Sequence, residues 1–157
     1  MNHQKFNELD LTSLLSLSFS TLITELHDRL SKLGFEDIRP AHGFMFKRIL
    51  PSGATGIELA EYLGVSKQAV SKMVDSLENS GYVTRKTHPT DKRGKVIVLT
   101  ERGLSVMKAK EEIVAEIEQR WIENIGADRM QLLKEDLTTF VTTKDAGKLS
   151  SNIRPVW

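Results

Sequence analysis

Between Leu11 and Leu33 the apolar residues Leu15, Phe19, Leu22, Leu26, Leu30 and Leu33 recur at steps of three and four, the spacing of one stripe along a helix. Gly34 ends that stripe. Arg39-Pro40 reads as an extended residue followed by proline at a first helical position, opening a short helix through Leu50 that Pro51-Ser52-Gly53 must stop. Thr55-Gly56-Ile57-Glu58 has capping-box spacing and starts another helix, which Gly64 closes. Ser66 is a good N-cap for the next helix, to about Ser80 and Gly81. In that helix Val70, Met73, Val74 and Leu77 form the apolar stripe, leaving Lys67, Gln68, Ser71, Lys72 and Asp75 on the opposite face.

The period changes after Gly81. Tyr82 to Thr87 and Val96 to Thr100 are rich in β-branched residues and flank a polar loop with Pro89 and Gly94, which predicts a hairpin with DKRGK at its tip. A long helix follows with Leu104, Met107, Val114, Ile117 and Trp121, exiting near Gly126, and a last one carries Met130, Leu133, Leu137 and Phe140. The pattern predicts a mostly α chain with a small β-hairpin, divided into an N-terminal helical segment (1–38), a central lobe (39–101), two C-terminal helices (102–142) and an irregular tail (143–157).

Composition narrows the class. With 157 residues, 39% apolar and 27% charged, the chain suits one globular domain with an added helical layer. No apolar run reaches bilayer length and the N-terminus lacks signal-peptide grammar, so a cytoplasmic location is expected. The absence of cysteine excludes disulfides, thiolate zinc sites and thiol redox sensing. The net charge of +1 hides an uneven distribution. Residues 65–102 hold Lys67, Lys72, Arg85, Lys86, Lys92, Arg93, Lys95 and Arg102 against Asp75, Glu78, Asp91 and Glu101, a local excess of cations over an otherwise acidic chain.

Two short helices joined at Gly64, with Ala60 four residues before the glycine and Val70 six after it, have the form of a helix-turn-helix, although an ordinary αα-hairpin can show the same spacing. The hairpin that follows favours a winged helix-turn-helix. Its recognition helix fits the roughly 12 Å major groove, and the wing stands beside the phosphates and the adjacent minor groove. Arg93 suits the minor groove because a guanidinium is weakly hydrated, Lys92 and Lys95 can meet phosphates, and Asp91 is expected to hold Arg93 or a strand cation. A merely solvated loop is the plain alternative.

From about Leu11 to Phe140 the order of elements, the segment GIELAEYLGVSKQAVSKMVDSLENSGYVTRK and the wing motif Asp91-x-Arg93-Gly94 before Leu99-Thr100 resemble the MarR family of winged-helix transcriptional regulators. The resemblance implies a homodimer whose N- and C-terminal dimerisation helices interlock, two winged helices on a palindromic operator, and repression that ends when a small-molecule effector binds. It places Ser66, Lys67, Gln68, Ser71 and Lys72 at the major groove and Arg93 at the minor groove. An effector pocket at the junction of the first helices with the DNA lobe would involve Arg39, His42, Phe44 and Met45. Peroxide sensing by cysteine, as in some members, is impossible here.

Other classes find little support. His3, His27, His42 and His88 show no metal-ligand spacing, no G-x-G-x-x-G occurs, and Ser105-Val106-Met107-Lys108 matches S-x-x-K without its companion motifs. Neither catalysis, cofactor nor metal is expected. A winged helix serving only as a protein-interaction module is the remaining alternative, and it gives no reason for cations on both the recognition helix and the wing.

Overall fold

The computed structural model describes residues 9–91 and 94–142. Six helices and a two-stranded hairpin follow in the expected order: α1 (Leu11–Lys32), α2 (Pro40–Ile49), α3 (Gly56–Leu63), α4 (Lys67–Asn79), β1 (Val83–Thr87), β2 (Lys95–Leu99), α5 (Glu101–Ile125) and α6 (Ala127–Thr142). Capping chemistry sets most of the starts. The Asp10 carboxylate accepts from the Ser13 amide at 2.7 Å, Ser66 Oγ from the Ala69 amide at 3.1 Å and Thr100 Oγ1 from the Gly103 amide at 3.2 Å. At α3 the box is reciprocal: Thr55 N–H donates to Glu58 Oε2 at 2.7 Å while Glu58 N–H donates to Thr55 Oγ1 at 3.3 Å.

Gly64 takes φ 64°, the left-handed conformation that lets α3 stop and α4 start within three residues. Across that turn Leu59, Ala60 and Leu63 of α3 meet Val70, Val74 and Leu77 of α4 in one core with Met45, Phe46 and Ile49 of α2. The hairpin is antiparallel, pairing Val83 with Leu99 and Thr87 with Lys95. A single bridge extends it: Ala54 and Ile97 exchange both backbone hydrogen bonds, at 3.1 and 2.8 Å, so the α2–α3 connection lies along the outer edge of β2.

Three of the expected stripes are only partly buried within one chain. Only Leu26 and Leu30 of α1 are buried, while Leu15, Phe19 and Leu33 are exposed. In α6 only Met130 is buried. In α5 the inward positions are Gly103, Val106, Met107, Ile113 and Ile117, with Leu104 turned out to solvent. A helix of 25 residues meets the hairpin root first and α1 later, so its buried face shifts along its length. The tail 143–157 lies outside the described residues.

Candidate nucleic-acid interface

The buried stripe of α4 dictates what its other side presents. With Val70, Val74 and Leu77 turned inward, Ser66, Lys67, Gln68, Ser71 and Lys72 are all exposed on the outer surface. Ser66 also spends its hydroxyl on the cap, so it anchors the helix start as well as facing outward.

Beside this surface stands the hairpin. A groove of about 520 Å³ runs between the start of α3, the outer edge of α4 and the wing, and Lys67, Ser71 and Lys95 open onto it together. Cations from the helix and from β2 therefore converge on one surface, while Gln68 and Lys72 are exposed beside it. Lys92 and Arg93 lie outside the described residues. The wing turn on either side of them is closed by hydrogen bonds: His88 N–H donates to Gly94 O at 3.0 Å, Gly94 N–H to Asp91 O at 2.9 Å, and Asp91 N–H to His88 Nδ1 at 3.2 Å.

Arg85, one of the cations tallied from sequence, faces the protein. Its Nη2 donates to Asp75 Oδ1 at 2.5 Å, its Nη1 to the Glu78 carboxylate, and its backbone N–H to Glu78 Oε1 at 3.1 Å. The hydrogen bond to Asp75 and the charge of Glu78 raise the guanidinium's affinity for its proton. Sequence reasoning missed this bridge, whose signal was two carboxylates three residues apart on α4 and an arginine seven residues later. It also missed Tyr82. That fully buried ring donates its hydroxyl to Asp37 at 2.5 Å, accepts from Arg102 Nη2 at 3.0 Å, and lies 4.6 Å beneath the Arg102 guanidinium. The α1–α2 connection is thereby tied to the hairpin root and the start of α5.

The sequence profile of the MarR family matches residues 49–94, the stretch from the end of α2 to the wing tip. Among solved structures, wild-type apo MarR from E. coli is 28% identical, with 84% of this chain and 97% of that one covered at a TM-score of 0.65. Residues 49–94 thus carry the MarR-family pattern, on a fold shared with solved MarR regulators. A cysteine-to-serine mutant of E. coli MarR complexed with operator DNA is also 28% identical, covering 83% of this chain and 92% of that one at a TM-score of 0.65. The transcriptional regulator Tm0710 from Thermotoga maritima is 25% identical over 82% of this chain and 89% of its own, with a TM-score of 0.60.

The four residues expected at an effector pocket do not line one cavity. Arg39 lines a cavity of about 440 Å³ with Phe19, Ser20, Ile23, Thr24, Pro40 and Ala41. Met45 is fully buried in the core, Phe44 packs against it, and His42 is buried at the start of α2. His42 has a structural task there: its Nδ1 accepts from the Arg39 amide at 3.2 Å, tying down the start of α2. Burial, then the neighbouring Arg39 charge, lowers its pKa from 6.5 to about 4.

A pH dependence follows from His42. Below about pH 6.5 the unfolded chain takes up a proton at this position that the folded chain refuses until about pH 4, so stability falls as pH drops through that window. The loss approaches about 3 kcal/mol at its lower end. Urea titrations between pH 7 and 4 should show the wild type losing stability faster than His42→Gln, which keeps an acceptor for the cap and does not titrate. Parallel curves would remove His42 as the cause.

Proposed function

We propose that the chain is a sequence-specific double-stranded DNA-binding transcriptional regulator that acts as a homodimer, a repressor on a palindromic operator. The observation that carries this is the convergence of Lys67 and Ser71 from α4 with Lys95 from β2 on one groove. In this assignment Ser66, Lys67, Gln68, Ser71 and Lys72 meet the major groove, Lys92 and Lys95 the phosphates, and Arg93 the minor groove. Residues 1–38 and 102–142 serve as dimerisation helices around a DNA-binding lobe at 39–101. Support for that comes from the apolar residues that α1 and α6 leave exposed in a single chain, among them Leu14, Leu15, Leu133 and Leu137. The solved operator complex of E. coli MarR supports duplex DNA as the partner. Function by binding, with no catalysis, agrees with the family's regulators.

The cavity at Arg39 favours an effector that is small, largely apolar and anionic, seated between α1 and α2. Occupation there alters the setting of the lobe on its dimerisation helices and releases DNA, because both half-sites, roughly 34 Å apart, must be met at once.

The test is a mobility shift of the purified protein against a duplex selected by it from a random-sequence pool, with a scrambled duplex alongside at moderate salt. Specific retention supports regulation; equal or absent retention favours the protein-interaction module. On the selected duplex, Lys67→Gln and Lys72→Gln should each lower the slope of log affinity against log salt by about 0.9 for every phosphate the lysine had neutralised. An unchanged slope removes that lysine from the set that meets phosphates.

A further inference from the structure

The bridge from β1 to α4 poses a problem of charge. Asp75 and Glu78 place two carboxylates along the recognition helix, next to the surface assigned to DNA, where anions repel phosphates. Arg85 engages both, through Asp75 Oδ1 at 2.5 Å and the Glu78 carboxylate, and Glu78 in turn accepts the Arg85 backbone amide at 3.1 Å. Glu78 thus holds the strand itself as well as the side chain, and Asp75 holds the guanidinium one helical turn earlier. The Arg85 side chain is only 30% exposed and lines the same groove as Lys67, Ser71 and Lys95.

We propose that Arg85 is a positioning residue: by bridging Asp75 and Glu78 it fixes the angle at which the wing stands to the recognition helix. This rests on the DNA-binding function proposed above. The Ala54–Ile97 bridge ties β2 to the α2–α3 connection, whereas Arg85 ties β1 to α4 itself, and the span between groove-reading helix and wing has to match that of a duplex. Two acceptors on successive turns of one helix suit a planar guanidinium, whose donors diverge in a fixed fork; an ammonium offers one centre and cannot span them in the same way. With its donors committed to carboxylates, Arg85 is held back from phosphates.

Simple electrostatics and positioning predict opposite outcomes. Removing two anions beside DNA should tighten binding if charge alone matters, whereas breaking the bridge should weaken it. With the duplex selected by the wild type as probe, the Asp75→Asn/Glu78→Gln double variant is expected to bind about tenfold more weakly with an unchanged salt slope. Arg85→Gln and Arg85→Lys should both weaken binding to a similar degree, again at unchanged slope, and combining Arg85→Gln with the double variant should add little. Tighter or equal binding by the double variant overturns the proposal. So does a slope about one lower for Arg85→Gln with near wild-type binding for Arg85→Lys, which is the behaviour of a phosphate-binding residue. If the wild type selects no duplex, the DNA-binding function fails on its own. The bridge is then read without DNA, by amide hydrogen exchange over Thr84–Thr87, which must accelerate in the double variant if the bridge restrains the wing.

Discussion

Leu133→Glu/Leu137→Glu should convert the protein to a monomer and weaken its hold on a two-half-site duplex by a factor of about 100 or more. Of the 16 residues of α6 only Met130 is buried within one chain, and Leu132, Leu133, Leu137 and Val141 stand exposed, as do Leu11, Leu14 and Leu15 at the start of α1. Fully burying a leucine contributes about 1.5–3 kcal/mol, and in a twofold interface each position counts twice. A glutamate placed there must either lose its hydration or keep the partner away, and the second is cheaper.

The effect on DNA follows from geometry. A dimer bound at one half-site presents its second recognition helix at high effective concentration to the other, an advantage a monomer lacks. Sedimentation or light scattering reads the assembly state, and fluorescence anisotropy reads affinity. On a duplex carrying one half-site the variant and the wild type should differ little, because only one lobe is engaged. A variant that stays dimeric would move the interface away from α6. A monomer with undiminished affinity for the full site would end the two-lobe mechanism.

The same helices show what a sequence can and cannot display. Helix starts were legible because capping is local: Ser66, Thr55 with Glu58, and Arg39-Pro40 carry their signal within four residues. The outward face of α4 was equally legible, since Val70, Val74 and Leu77 leave no other surface for Lys67, Gln68, Ser71 and Lys72. Burial along α1 and α6 was not, because an apolar stripe says that a face wants cover without saying whether the cover comes from the same chain. Phe44 and Met45 could not be separated from a pocket by periodicity, and packing around α2 decided them. Pairings between distant segments were invisible for a related reason. Nothing local marks Tyr82 as the partner of Asp37, or Ala54 as a bridge to Ile97, until the chain has folded. Charge counting failed at Arg85 because it cannot distinguish a cation offered to solvent from one already engaged.

Gly103→Ala is the sharpest case of that distinction, with a predicted sign opposite to the local one. Alanine in a helix is ordinarily about 1 kcal/mol better than glycine. Here a Cβ on residue 103 would come within 2.2 Å of the Tyr82 carbonyl oxygen and within 3.2 Å of the Leu99 side chain. The carbonyl cannot retreat freely. It accepts the Thr100 amide at 3.0 Å, and the Tyr82 ring beneath it is fully buried with its hydroxyl fastened to Asp37. Helix α5 would have to lift from the hairpin root, loosening Val106 and Met107 and disturbing the Arg102 stack over Tyr82. A loss of about 3 kcal/mol or more is expected, read as a lower urea midpoint. Gly56→Ala is the matched control: it also lies in a helix, a Cβ there meets nothing within 4 Å, and its stability should be unchanged or slightly raised. Equal midpoints for the two variants would mean that α5 does not seat on the Tyr82 carbonyl. The wing would then lack the rigid base on which its convergence with α4 depends, and binding to the selected duplex should be insensitive to Gly103→Ala as well.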